Sequence, residues 1–169
     1  MSNQIKSVAV IGGGTMGTGI AGLCAQTDHK VLLLDVSEEA IQKAKDRIIN
    51  GRPPAVDDPE KAGNITFGTI DNDLTLVANY DWICEAVVED LPTKRALLEK
   101  LEPLRRENSI ISTNTSGIPL RDITQGMPDS LKNNIAVTHF FNPVKAMRLL
   151  ELIPGEQTSP DVMNALSAF

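Results

Sequence analysis

Ile5-Lys6-Ser7-Val8-Ala9-Val10-Ile11-Gly12-Gly13-Gly14-Thr15-Met16-Gly17 is the stretch whose reading decides the fold. Its first seven residues have the β-branched composition and length of a strand buried inside a parallel sheet. They run directly into G-x-G-x-x-G at Gly12, Gly14 and Gly17. Behind the glycines, Met16, Ile20, Leu23 and Cys24 recur at helical spacing, so the turn joins a strand to a helix. A second apolar run, Val31-Leu32-Leu33-Leu34, ends in Asp35, eighteen residues after Gly17.

Each part of this unit has a physical job. Gly12 permits a tight turn, Gly14 lets backbone approach a pyrophosphate, and Gly17 lets helix and strand pack closely. The pyrophosphate then rests on the turn and helix start, at Gly12, Gly14, Thr15, Met16 and Gly17, where unpaired N–H groups and the helix dipole favour an anion. Asp35 is placed to accept hydrogen bonds from the adenosine ribose and to repel a 2′-phosphate, which favours NAD over NADP. A glycine turn alone is weak evidence; strand, glycines, helix, strand and terminal acid in order make NAD the expected cofactor.

The rest of the chain continues the alternation. Ser37, Glu38 and Glu39 open a helix with a cap and an acidic first turn, extending to about residue 50. A Pro-rich loop fills 51–59, and short strands are expected at 64–68, 81–87, 109–112 and 135–140, with a further one at 149–153. A helix over 92–102 turns Leu97, Leu98, Leu101 and Leu104 inward, Pro103 ends it, and a helical turn falls at 120–124. The expected fold class is α/β: a doubly wound, mostly parallel, Rossmann-type sheet, with residues 1–169 forming one dinucleotide-binding domain.

In such sheets ligands lie outside the carboxyl ends of the strands. Gly12, Asp35, Glu89, Ser116 and His139 all fall at or just past those ends and are expected to share one rim. His139, one of only two histidines, closes the run Ile135-Ala136-Val137-Thr138. Glu151 interrupts the apolar residues around Leu150 and Leu152, where a charge is costly unless paired, and His139 is the partner nearest in kind. A histidine with a carboxylate is the minimum set for moving a proton near neutral pH. By residue type, Ser116 is equally an ordinary turn residue, Glu89 an acid favouring a helix start, Lys94 an exposed cation and Asn142 part of a loop fixed by Pro143. His29 reads as structural and Trp82 as core.

Composition narrows the partners. At 169 residues the chain holds one α/β domain with a real core. The formal charge of −6 argues against nucleic acid or an anionic membrane. No apolar stretch approaches the ~20 residues of a membrane span, and the first strand begins too early to leave room for a targeting segment. Cys24 and Cys84 lack a metal-type spacing, no metal is expected, and two buried thiols suit a reducing cytoplasm.

Assembled, these residues resemble the NAD-binding domain of the L-3-hydroxyacyl-CoA dehydrogenase family. The resemblance rests on 8–21, on Glu85-Ala86-Val87-Val88-Glu89 with Lys94, on Asn114-Thr115-Ser116, on His139-Phe140-Phe141-Asn142-Pro143 and on Leu150-Glu151. It looks nearest to large members that also carry an enoyl-CoA hydratase/isomerase module. The resemblance implies oxidation of an (S)-3-hydroxyacyl-CoA in fatty-acid β-oxidation, with His139 as general base, Glu151 orienting it and Ser116 binding the reacting oxygen. Glu89, Lys94, Ser116 and Asn142 are then cofactor contacts. A small hydroxy acid or sugar acid as substrate, or a non-catalytic dinucleotide-binding module, are the alternatives. Two departures are visible. Only 37–64 is available where the family places a long helical hairpin that helps hold CoA. The chain also ends inside a new helix, before the family's helical C-terminal domain, which supplies dimer contacts, a substrate wall and a catalytic asparagine. The expected partners are therefore an acyl-CoA, that missing domain and, for the full-length protein, a second copy of itself; the fragment alone is expected to bind NAD and turn over little substrate.

Overall fold

A computed structural model describes residues 4–169. Seven strands form one sheet: β1 Ser7–Ile11, β2 Lys30–Asp35, β3 Ile65–Thr69, β4 Trp82–Glu85, β5 Ile110–Thr113, β6 Ile135–Phe140 and β7 Leu150–Pro154. Their order is β3-β2-β1-β4-β5-β6-β7, parallel throughout except for β7, which runs antiparallel to β6. The helices are α1 Thr15–Gln26, α2 Glu38–Asn50, α3 Ile70–Asp73, α4 Leu91–Leu101, α5 Leu120–Ile123, α6 Asp129–Lys132 and α7 Pro160–Ala168. The expected doubly wound α/β class is what forms.

Strand alternation splits the core in two. Val8, Val10, Val31, Leu33, Trp82 and Cys84 face α1, α2 and α7. Ala9, Ile11, Leu32, Leu34 and Ile83 face α4, α5 and the 3-10 segment Leu74–Asn79. Both faces are covered, which is why these strands read as continuous apolar runs. Each fully buried leucine or isoleucine contributes roughly 1.5–3 kcal/mol.

Caps sit where side-chain chemistry allows. The Ser37 hydroxyl accepts from Ala40 N–H, opening α2, and the Asp90 carboxylate accepts from Thr93 N–H, opening α4. Pro103 lies two positions beyond α4. Residues 37–64 fold as α2, a loop and a 3-10 segment at Pro59–Asn64. His29 bonds the Thr27 hydroxyl at 3.0 Å and packs on Phe169, a structural role, and Trp82 is fully buried, donating to the Ser112 hydroxyl at 2.8 Å.

The strand order reverses between β1 and β4: the chain leaves β1 towards β2 and returns to β1's other side as β4. Crevices for ligands form at such points, at the carboxyl ends of the strands. The glycine turn lies there.

Candidate dinucleotide and proton-transfer site

The turn after β1 is held by backbone geometry that only glycine meets. Gly12 has φ +107°, and a Cβ there would lie 2.5 Å from the Ala86 carbonyl oxygen. Its N–H donates to the Leu34 carbonyl at 2.7 Å, stitching the turn to β2. A Cβ on Gly17 would lie 1.7 Å from the Gly12 carbonyl oxygen, so α1 packs against the turn only without one. Gly14 differs: a Cβ there would meet nothing within 4 Å. It borders open space at the start of α1, a helix with no side-chain cap and no acid in its first turn. Its leading N–H groups are therefore available to an anion.

Asp35 closes β2 beside this turn. One carboxylate oxygen accepts from Gly13 N–H at 2.7 Å and the other from Val36 N–H at 2.6 Å. Arg47 reaches from α2 to the Gly13 carbonyl at 3.3 Å. An acid fixed at the end of β2, a glycine turn and an uncapped helix start together fit a dinucleotide.

A second cluster follows β4 and β5. Lys94 is 1% exposed, and its ammonium donates to Glu85 Oε1 at 2.7 Å and lies 3.3 Å from Glu89 Oε2. This corrects the reading of Lys94 as an exposed cation: two carboxylates balance its charge where water cannot. Glu85, equally buried, also accepts from Val87 N–H at 2.8 Å and from the Thr113 hydroxyl at 2.6 Å. Sequence reasoning does not single out Glu85, although an acid closing the fully buried strand Trp82–Glu85 needs a partner and so carried a signal. Glu89 accepts from the Thr115 hydroxyl and from Ser116 N–H at 3.1 Å. Partial burial works against its carboxylate, but the Thr115 hydroxyl, the Lys94 charge and the Ser116 N–H outweigh it and hold its pKa below the ordinary value. Glu89 is thus tied to the Ser116 loop, not merely solvated at a helix start.

The third cluster joins β6 and β7. The antiparallel register sets His139 opposite Glu151, and His139 Nδ1 lies 3.0 Å from Glu151 Oε2. A carboxylate accepts only, so Nδ1 is the donor in this contact and Nε2 is the ring nitrogen that Glu151 does not engage. The Asn114 side-chain oxygen accepts from Phe140 N–H at 2.9 Å, tying the end of β5 to the end of β6. Asn142 is exposed in the loop beyond β6.

Gly12, Asp35, Glu89, Ser116 and His139 all stand at the carboxyl ends of parallel strands. Direct contacts join Gly13 to Asp35, Glu89 to Lys94 and the Ser116 loop, and His139 to Glu151.

The model of the family described as 3-hydroxyacyl-CoA dehydrogenase, NAD binding domain, matches residues 7–169. A Rickettsia felis protein named for the trifunctional enzyme of a fatty acid oxidation complex is 39% identical, over 100% of this chain and 24% of its own length. The mitochondrial hydroxyacyl-coenzyme A dehydrogenase of Rattus norvegicus is 33% identical, over 98% of this chain and 55% of its own. The crystal structure of (S)-3-hydroxybutyryl-CoA dehydrogenase PaaH1 from Ralstonia eutropha superposes with a TM-score of 0.83 at 32% identity, over 98% of this chain and 59% of that one. The chain thus spans between about a quarter and three fifths of these relatives. With a family model matched from the first strand onward and a cradle suited to a dinucleotide, the chain belongs to the NAD-binding domain family of the 3-hydroxyacyl-CoA dehydrogenases, and its cofactor is NAD.

Proposed function

We propose that this chain is the cofactor-binding and His–Glu-bearing part of an enzyme that oxidises (S)-3-hydroxyacyl-CoA to 3-oxoacyl-CoA in fatty-acid β-oxidation. The observation that carries the reading is the His139–Glu151 pair at 3.0 Å, at the same carboxyl end of the sheet as the glycine turn. The turn at Gly12, Gly14, Thr15, Met16 and Gly17 holds the pyrophosphate, Asp35 the adenosine ribose, and Glu89 and Asn142 the nicotinamide half, with the buried Lys94 acting through Glu89, whose carboxylate it fixes. NAD, when bound, supplies the hydride acceptor for C3 of the substrate.

His139 removes the hydroxyl proton at Nε2, the nitrogen that Glu151 leaves free. Glu151 fixes the tautomer and stabilises the imidazolium. Ser116 donates to the reacting oxygen and keeps it turned towards His139. Residues beyond this chain, in the relatives' additional length, supply the remaining substrate wall and a homo-oligomer contact.

No helix among the described residues is long and apolar enough to cross a membrane. We assign the protein to the cytoplasm on its two buried, unpaired thiols, Cys24 and Cys84, which suit a reducing compartment. Cell fractionation that finds it in a membrane or organelle pellet overturns that assignment. In the full-length protein, His139→Ala is expected to lower kcat by about a hundredfold to ten-thousandfold, the scale of general-base catalysis. NAD affinity should stay unchanged, since His139 lies outside the glycine turn. Near-normal turnover would remove His139 from the chemistry. Oxidation of free 3-hydroxy acids in preference to their CoA esters would change the substrate class.

A further inference from the structure

The loop after β5 is shaped by side chains and not by a backbone ladder. Thr115 N–H donates to the Thr113 hydroxyl at 3.3 Å, and Ile118 N–H donates to the Thr115 hydroxyl at 3.0 Å. Between them, Ser116 and Gly117 N–H both donate to Glu89 Oε1, at 3.1 and 3.4 Å. Four consecutive N–H groups thus depend on Thr113, Thr115 and Glu89 alone, and the loop is only as fixed as those three side chains.

A closed ring of hydrogen bonds fixes them. The Thr115 hydroxyl donates to Glu89 Oε1, and Glu89 Oε2 lies 3.3 Å from the Lys94 ammonium. Lys94 donates to Glu85 Oε1 at 2.7 Å, and the Thr113 hydroxyl donates to Glu85 Oε2 at 2.6 Å. Thr113 also receives the Thr115 N–H, which returns the ring to its start. Glu89 is exposed, and a carboxylate there without Lys94 would be free to turn. Glu85 has no such freedom, since it is 1% exposed and its two oxygens hold Lys94 on one side and Thr113 on the other. Glu85 and Thr113 anchor the ring, and Glu89 and Thr115 carry its hold to the loop.

The same loop reaches the histidine strand. Asn114, two residues before Ser116, accepts from Phe140 N–H, next to His139. The loop therefore spans from the exposed Ser116 to the end of β6. We propose that Glu85 and Thr113 are positioning residues for the oxidation, fixing the Ser116 hydroxyl relative to His139, a proposal that rests on the dehydrogenase reading above. Both are buried, so they act through the loop and not by contact with substrate. A reacting group displaced by about 1 Å can lose about a hundredfold in rate. A network that only stabilises the fold loses rate whether or not Ser116 is present, whereas a positioning network loses it through Ser116.

The test uses the full-length protein saturated with NAD and (S)-3-hydroxybutyryl-CoA, and reads NADH formation in a single turnover. Thr113→Val removes the hydroxyl and keeps the branched shape, and should slow the reaction about ten- to hundredfold. Thr113→Ser keeps the hydroxyl and should stay within about threefold of wild type. Ser116→Ala should also be slow, and adding Thr113→Val to it should slow it less than about twofold further, because both changes remove one interaction. Glu85→Gln approaches the ring from β4, turning an amide N–H₂ towards Lys94 or Thr113. It should show the same dependence on Ser116, and it decides the matter if Thr113→Val does not fold. Losses that multiply, a serine variant as slow as the valine one, or a valine variant as fast as wild type overturn the positioning role and leave the dehydrogenase reading standing. A Ser116→Ala rate equal to wild type overturns the positioning role as well. Failure of the wild type to oxidise the ester overturns the dehydrogenase reading and the positioning role with it.

Discussion

Lys94 shows how a side chain's surroundings override its type. Residue type argues for exposure, yet Lys94, Leu97, Leu98 and Leu101 stand at i, i+3, i+4 and i+7, one face of α4. Periodicity turns the ammonium inward, and Glu85 and Glu89, from the end of β4 and the loop after it, make that burial tolerable. Helical spacing was legible in the sequence; the convergence of two acids from outside the helix was not, because it depends on how α4 seats against the sheet. Lys94→Met should leave the Glu85 carboxylate buried without a countercharge and cost about 3–5 kcal/mol. The check is a lower urea midpoint at an unchanged m-value. Glu89 adds a pH signature. Its folded pKa lies below its unfolded one, so its contribution is complete above the unfolded value, near ~4.3, and is lost as pH falls through the folded value. The stability gap between wild type and Glu89→Gln should therefore be widest at neutral pH and narrow as pH drops below about 4. A gap independent of pH would mean that the carboxylate charge contributes nothing.

At the scale of elements, the glycine turn separates two requirements that sequence alone merges into one motif. Gly17→Ala pushes a methyl group into the Gly12 carbonyl and should unseat α1, lowering both stability and NAD affinity. Gly14→Ala meets open space at φ −70°, a conformation alanine adopts freely. Its ligand-free stability should stay within about 0.5 kcal/mol of wild type, while NAD affinity falls because the methyl group occupies the space intended for phosphate. Thermal melts with and without NAD separate the two cases, and equal effects would mean that Gly14 is structural. The strands and longer helices were legible because their apolar periods extend over enough residues to be unambiguous. Of the three four-residue helices, only α5 was anticipated, as a turn at 120–124; α3 and α6 were not, since four residues complete barely one turn and leave no repeat to recognise. The direction of β7 was also open in the sequence. The link from Phe140 to Leu150 is too short for a crossover of a dozen residues, so β7 must return antiparallel. That return places Glu151 opposite His139.

Across the whole molecule, cofactor site and core share one element, because α1 both begins at the glycine turn and covers one face of the sheet. Cys24 on α1 and Cys84 on β4 lie in that same core cluster, each fully buried. Burial pushes the Cys84 thiol up to about 12 and Cys24 higher still, so neither ionises near neutral pH in the folded protein. A thiolate is the reactive form, and an aromatic disulfide reagent should therefore label neither cysteine until α1 leaves the sheet. Because one layer covers both, the two thiols should react in a single phase whose rate tracks the open population. NAD binds only the closed arrangement of turn and helix, so it should slow both thiols by the same factor. At a cofactor concentration 100 times its Kd that factor is about a hundredfold, equivalent to ~2.7 kcal/mol. Rates measured by mass spectrometry at each cysteine decide the matter. Protection of Cys24 alone would mean that α1 detaches while the sheet stays intact, and equal protection of both means that the cofactor turn and the core open as one unit.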